Sequence, residues 1–204
     1  NSYDEDATTV TITFENVKSQ RGKIILEDNG NGMTRNEIQE KWMKPGTPNK
    51  EEQPYSNRFG RRKIGEKGIA RFGLDSICRH VLIDSRVKGE SDAYRLRIDW
   101  DQYTAADAMF EKIPNKLAAV PKRRKLHGLR IEMSSLRERW DDVRMLALRK
   151  DIELLLPPTG KVENFHVTVA APEFAKFSGR LRPTFLGKAV HIFSSRLERD
   201  GTIR

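Results

Sequence analysis

Glu27-Asp28-Asn29-Gly30-Asn31-Gly32-Met33 follows directly on the apolar run Lys23 to Leu26, so one carboxylate and two glycines stand at the end of an expected strand. A buried Asp beside backbone that carries no side chains can hold a flat, polar ligand. The same Asp-Asn-Gly letters also spell an ordinary hairpin turn. A second stretch, Lys63-Ile64-Gly65-Glu66-Lys67-Gly68-Ile69-Ala70-Arg71-Phe72, weighs against the plain turn. It is a glycine-punctuated loop that runs into an apolar helix and, past Lys63, carries two cations, Lys67 and Arg71. Gly65 and Gly68 permit close approach of backbone, and free N–H groups at the start of the helix would face an anion with the helix dipole behind them. Alone, this loop reads as a glycine cap and a surface lysine. With Asp28 upstream, a phosphate cradle is the better reading.

Composition sets the outer limits. A chain of 204 residues can bury one good core, or one domain and part of another. Its one cysteine excludes an intrachain disulfide, and it shows no apolar run of signal-peptide or membrane-spanning character. A cytoplasmic protein that does not enter the membrane is the expectation. With 33% charged residues and a net charge of +9, the surface should attract polyanions such as ATP or nucleic acid. Charge spread over solvated faces explains the same numbers equally well. The chain starts without Met and ends on Gly201-Thr202-Ile203-Arg204, and is read as a fragment of something longer.

Strands alternate with helices along the chain. Thr8 to Phe14 alternates with period two and is rich in β-branched residues, with Lys23 to Asp28 as its hairpin partner. Thr34-Arg35-Asn36-Glu37 is a capping box opening a short helix toward Met43. Residues 44–62, with Pro45, Gly46, Pro48, Pro54 and Gly60, have no periodicity and offer few apolar anchors. Ile69 to Cys78 reads as a helix, with Ile69, Phe72, Leu74 and Ile77 available to the core and Cys78 a small buried hydrophobe. His80 to Ser85 and Ala93 to Trp100 read as antiparallel strands around a Lys88-Gly89-Glu90 turn. Asp101 to Arg124 reads as a polar insertion ending in the basic run Lys122-Arg123-Arg124-Lys125, and His127 to Met133 as another strand. Ser135-Leu136-Arg137-Glu138 reads as a second capping box for a helix reaching about Leu155. Phe165 to Ala170 and Ala189 to Ser195 read as short strands beyond a domain boundary near Pro157. The expected fold is an α/β two-layer sandwich, with helices on one face of a mixed, mainly antiparallel sheet.

Asp28 to Met33, Gly65 to Phe72 and the opening Asn1-Ser2-Tyr3-Asp4-Glu5-Asp6-Ala7 together resemble the GHKL ATPase superfamily: gyrase B-type topoisomerases, ninety-kilodalton heat-shock chaperones, histidine kinases and mismatch-repair ATPases. Within it the chain looks most like chaperone-like and Morc-like ATP-binding proteins. The resemblance implies that residues 1–156 are the ATP-binding domain, 44–62 its ATP lid and 157–204 the start of a transducer-like segment. It implies that Asp28 accepts the exocyclic amine of adenine, with Gly30 and Gly32 against the base and Met33 as an apolar wall. An ionised acceptor there selects against guanine, whose corresponding oxygen would face it repulsively. Gly65, Lys67, Gly68, Ile69, Ala70 and Arg71 would serve the phosphates, with Ala70 where the family often has Gly. Asn1 would hold Mg2+ through its amide oxygen. The late Gly-Thr pair of the family appears as Gly128-Leu129, so Leu129 replaces the Thr beside adenine.

The family's general base is a Glu one helical turn before the magnesium Asn, a position ahead of residue 1, so no residue here takes that role. The resemblance implies an ATP-driven conformational machine in which nucleotide closes the lid and a pair of domains associates as a homodimer. A histidine kinase-type catalytic domain and a nucleotide-sensing module without turnover remain as alternatives. The Lys122 to Lys125 run adds nucleic acid or an acidic protein as a partner to test.

Overall fold

The computed structural model describes residues 1–42, 54–63, 70–103, 116–156, 164–183 and 195. Eight strands form one sheet: β1 (Thr9–Glu15), β2 (Lys23–Asp28), β3 (Cys78–Arg86), β4 (Asp92–Asp99), β5 (Lys116–Pro121), β6 (Gly128–Leu136), β7 (His166–Ala170) and β8 (Gly179–Arg180), in the order β5-β4-β3-β6-β2-β1-β7-β8. Every pairing is antiparallel except β1 with β7. The fold is therefore the expected mixed α/β fold with a mainly antiparallel sheet.

The period of two in the sequence becomes two faces of the sheet. One apolar row runs through paired positions Leu117, Leu96, Ile83, Ile131, Leu26, Ile12 and Val169. A second runs through Ile98, Val81, Met133, Ile24 and Phe14. α2 (Asp142–Leu155) adds Met145 to this core, and the 3-10 turn Pro172–Phe177 adds Phe174 and Phe177. Trp140 meets Phe14 edge-on, with ring centroids 5.0 Å apart. The alternate positions are polar. Glu132 accepts from Lys23 at 2.8 Å and from Arg130 at 2.9 Å, and Arg95 grips Asp84 with two bonds of 2.6 and 2.7 Å. The Lys23 bond holds the Glu132 carboxyl below its ordinary range and the Lys23 ammonium above its own. Asp28 belongs to the apolar side, since it follows Ile24 and Leu26 at the same parity and pairs with Val10.

Three local expectations are corrected. Residues 101–124 contain an edge strand, β5, whose Leu117 and Val120 pair with Leu96 and Ala93; Pro121 sits at its last position, where a missing N–H does no harm to the ladder. The Ile69 to Cys78 helix is a shorter 3-10 segment, Ala70–Ser76, because Cys78 already pairs with Leu136 as the first residue of β3. The second capping box does not open a helix. β6 continues through it to Leu136, Ser135 takes a φ of 54° with its Oγ 3.0 Å from His80 Nδ1, and Asp141 caps α2 instead by accepting from Arg144 N at 2.9 Å. The Thr34 capping box does form, with Glu37 N donating to Thr34 Oγ1 and Thr34 N donating to Glu37 Oε2, but α1 (Arg35–Glu37) passes at once into the π-helical turn Ile38–Trp42. Beyond the expected boundary at Pro157, β7 joins the same sheet against β1. Of the expected strand Ala189 to Ser195, only Ser195 lies within the described residues.

Cys78 is completely buried, and burial pushes its thiol up to about 12. Only the thiolate is nucleophilic, so the native protein should resist alkylation at pH 8 and react fully in denaturant. Rapid, stoichiometric labelling of the native protein, followed by mass spectrometry, would contradict this packing.

Candidate functional site

The N-terminal segment folds into a helical turn. Glu5 N donates to Asn1 O, Ala7 N donates to Ser2 O, and Asp6 takes a φ of 60°. This six-to-one bond with a left-handed residue inside it is the Schellman way of ending a helix, and Asp tolerates that conformation better than most side chains. The turn lies on the loop after β2, where Asn31 N donates to Glu5 O at 3.0 Å.

Asp28 is 7% exposed, and its carboxylate joins two distant parts of the chain to its own loop. Oδ1 accepts from Gly30 N at 2.9 Å and from Leu129 N at 3.0 Å; Oδ2 accepts from Ser2 Oγ at 2.7 Å. A carboxylate offers about four acceptor positions, so these three donors leave one for a further partner, on Oδ2. The loop itself is tied down by side chains, one of its own and one from β3. Asn29 Oδ1 accepts from Thr8 N and Thr9 N, and Ser85 Oγ both accepts from Met33 N and donates to Met33 O. His127 donates from Nδ1 to the Gly30 carbonyl at 3.0 Å, which requires the proton on Nδ1. Asn29-Gly30 is therefore no hairpin turn: β2 pairs with β1 and β6, and the chain passes on to α1.

The glycines serve this packing. A Cβ at Gly30 would come within 2.7 Å of Glu5 O, and one at Gly32 within 2.4 Å of Arg86 O. In the direction a side chain would take, both glycines therefore face the protein's own backbone. Gly128 is tighter still, with a φ of 107° and only 2.0 Å between an added Cβ and Asp28 O.

Residues 54–63 form a small hairpin beside the N-terminal turn. Tyr55 bridges to Arg62, Ser56 N donates to Arg61 O, and Gly60 turns the chain with a φ of 59°. Asp6 receives Arg58 N at 2.8 Å and Phe59 N at 3.2 Å. Burial opposes its ionisation, but hydrogen bonds from Ser56, Arg58, Phe59 and Asn31 outweigh that and hold the Asp6 carboxyl below its usual value. Apolar anchors are indeed few here; the hairpin is held by Asp6 and by the buried Arg61 guanidinium.

Of the expected site residues, the structure brings Asp28, Gly30, Gly32, Met33 and Leu129 together with the Asn1–Ala7 turn. The side chain of Asn1 is exposed on that turn. Gly65, Lys67, Gly68 and Ile69 lie outside the described residues, and Ala70 and Arg71 begin the 3-10 segment. Sequence reasoning gave no role to Asp6, Arg61 or His127. Arg61 stands in the run Arg58-Phe59-Gly60-Arg61-Arg62-Lys63, where nothing marks one cation as buried and the others as solvated.

A family model described as histidine kinase-, DNA gyrase B-, and HSP90-like ATPase matches residues 1–125. The chain belongs to this GHKL ATPase family. Among solved structures, the Aquifex aeolicus MutL ATPase domain complexed with ADP is similar, at 13% identity and a TM-score of 0.45, over 90% of this chain and 59% of that one. The chain thus spans less than two thirds of the MutL structure it matches. No curated protein matches it. Among the described residues, no helix of this GHKL domain is long and apolar enough to cross a membrane, and no group of three or more His, Cys, Asp or Glu side chains is placed to hold a metal ion. Mg2+ bound by an amide oxygen, waters and phosphates needs no such group.

Two outcomes follow for this GHKL site. Gly128→Ala forces a Cβ into the Asp28 carbonyl at a φ that disfavours side chains, and should cost on the order of 3 kcal/mol or more in urea denaturation. Because the folded Asp6 pKa is depressed, its contribution is complete above the ordinary Asp value of 3.8 and is lost as pH falls through the folded value. Asp6→Asn should therefore lose less stability than the parent between pH 5 and pH 3, measured as the shift in denaturation midpoint. Parallel midpoint curves would show that Asp6 carries no such linkage.

Proposed function

We propose that the Asp28 site binds the adenine of ATP, the amine donating to the remaining acceptor position of Oδ2. The observation that supports this most directly is a 7%-exposed carboxylate at the inward end of a strand, with Oδ1 occupied by two backbone N–H groups and Oδ2 by one hydroxyl. The two N–H donors orient the Asp28 carboxylate, so adenine meets a fixed acceptor and guanine an electrostatic mismatch. Leu129 takes part through its backbone N–H, and the absence of a Thr hydroxyl at this position would weaken affinity without abolishing it. Met33 is half-buried against the core and gives the base an apolar wall.

In this reading Gly65 to Arg71 cradles the phosphates, and Asn1, on the same turn as Ser2, offers its amide oxygen to Mg2+. ATP supplies a phosphoanhydride bond whose hydrolysis can reset the domain. The protein's part is to orient the base through Asp28, close the 44–62 lid and exclude water. The 54–63 arm of that lid already rests on the N-terminal turn. Nucleotide-dependent association of two such domains, in an ATP-driven conformational machine, is favoured over a kinase-type domain by the chain that follows β6: α2 and β7 continue the same fold, with β7 parallel to β1. Lys122 is tied to the carbonyls of Glu90 and Leu126, while Arg123, Arg124 and Lys125 are exposed and available to nucleic acid or an acidic partner.

Asp28→Asn keeps the size of the side chain and removes its charge. ATP affinity measured by calorimetry should fall by about 1.5–3 kcal/mol, the range for a hydrogen bond to a charged group. Unchanged affinity in a folded variant would remove the basis of this reading.

A further inference from the structure

Arg61 is 6% exposed and reaches three segments at once. Nη1 donates to Ala7 O at 2.6 Å and Tyr3 O at 3.1 Å; Nη2 donates to Asn164 Oδ1 at 2.8 Å and Asn164 O at 3.3 Å. The guanidinium is surrounded by rings, with centroids 4.7 Å away at Tyr3, 4.6 Å at Phe59 and 5.5 Å at Phe165. Tyr3 and Phe165 also meet edge-on at 5.4 Å. Only a planar fork of donors can serve carbonyls on two sides while its faces stack on aromatic rings; a lysine offers a point charge in one place.

The position of these acceptors matters. Tyr3 O and Ala7 O lie at the closed end of the N-terminal turn, where helix carbonyls lack intrahelical donors and a cation is favourable. Ser2, on that turn, donates to Asp28 Oδ2, and Glu5 O receives Asn31 N from the loop after Asp28. Asn164 lies just ahead of β7, whose His166 N donates to Thr8 O as its ladder with β1 begins. Lys63, two residues beyond Arg61, leads in sequence to the Gly65 to Arg71 segment.

We infer that Arg61 is a positioning residue of the nucleotide site. It clamps the Asn1–Ala7 turn against Asp28 from the lid side and joins that turn to the start of β7, so that nucleotide at Asp28 is felt at β7. This rests on the nucleotide reading above. The clamp is built to act in both directions: a ligand that orders Ser2 and Asp28 steadies the carbonyls that Arg61 holds, and through Nη2 the Asn164 end of β7.

The test uses the full chain with ADP and a non-hydrolysable ATP analogue, reading affinity by calorimetry and amide exchange of His166–Ala170 with and without nucleotide. In the parent, nucleotide should slow exchange in residues 1–7 and in β7. Arg61→Lys keeps the charge but loses the fork, and should weaken binding about tenfold, the equivalent of one charge-assisted hydrogen bond. Asn164→Ala removes one acceptor of the clamp; it should weaken binding less than Arg61→Lys does and reduce the nucleotide-dependent slowing in β7. If Arg61→Lys proves unfolded by circular dichroism, Asn164→Ala decides alone. Parent-like slowing of β7 in Asn164→Ala, or parent-like affinity in folded Arg61→Lys, overturns the inference. A parent that binds no nucleotide sinks the site reading itself, a separate result that the Asp28→Asn comparison identifies.

Discussion

A carboxylate on the inward side of a sheet has to be paid for with hydrogen bonds, and the arrangement around Asp28 follows from that requirement. The parity of β2 that turns Ile24 and Leu26 into the core turns Asp28 the same way. Left without donors, an ionised group there would cost several kcal/mol. Three N–H or O–H groups come to it from Ser2, Gly30 and Leu129, and the first and last each bring a separate piece of the chain. Gly128 then has no room for a side chain, and Gly30 gives its Cβ space to Glu5 O.

The N-terminal turn depends on that centre but is not secured by it alone. A short turn in water is marginal, and this one is held at its closed end by the guanidinium of Arg61 and at Asp6 by two backbone N–H groups of the 54–63 hairpin. The same hairpin belongs to the stretch whose prolines and glycines suggest an unanchored lid. Its anchors are polar, Asp6 of the N-terminal turn and its own Arg61, so a count of apolar residues within 44–62 could not reveal them.

Where sequence expectations and structure agree, the information is local. Strand β1 follows from alternation, β2 from a short apolar run beside it, and the Thr34 cap from two side chains three residues apart. Where they differ, a distant partner decides. Ser135 to Glu138 carries the letters of a capping box, but β3 extends β6 through Leu136, and the ladder overrides the cap. Lys116 to Pro121 alternates too weakly to be read as a strand, yet β4 offers it a free edge.

The sequence by itself determined that β1, β2, β3, β4 and β6 are strands, that Asp28 ends one of them beside glycines, and that the three opening motifs stand in the order of a GHKL domain. These are properties of spacing, which a chain carries whether folded or not. Only the tertiary structure decided which donors meet Asp28, why Gly128 must lack a side chain, and which arginine of Arg58, Arg61 and Arg62 is buried. Arg61 reaches acceptors 54 and 103 residues away, and Leu129 lies 101 residues from Asp28. Contacts of that range leave no local period, because they exist only once the sheet has set β6, β7 and the N-terminal turn side by side.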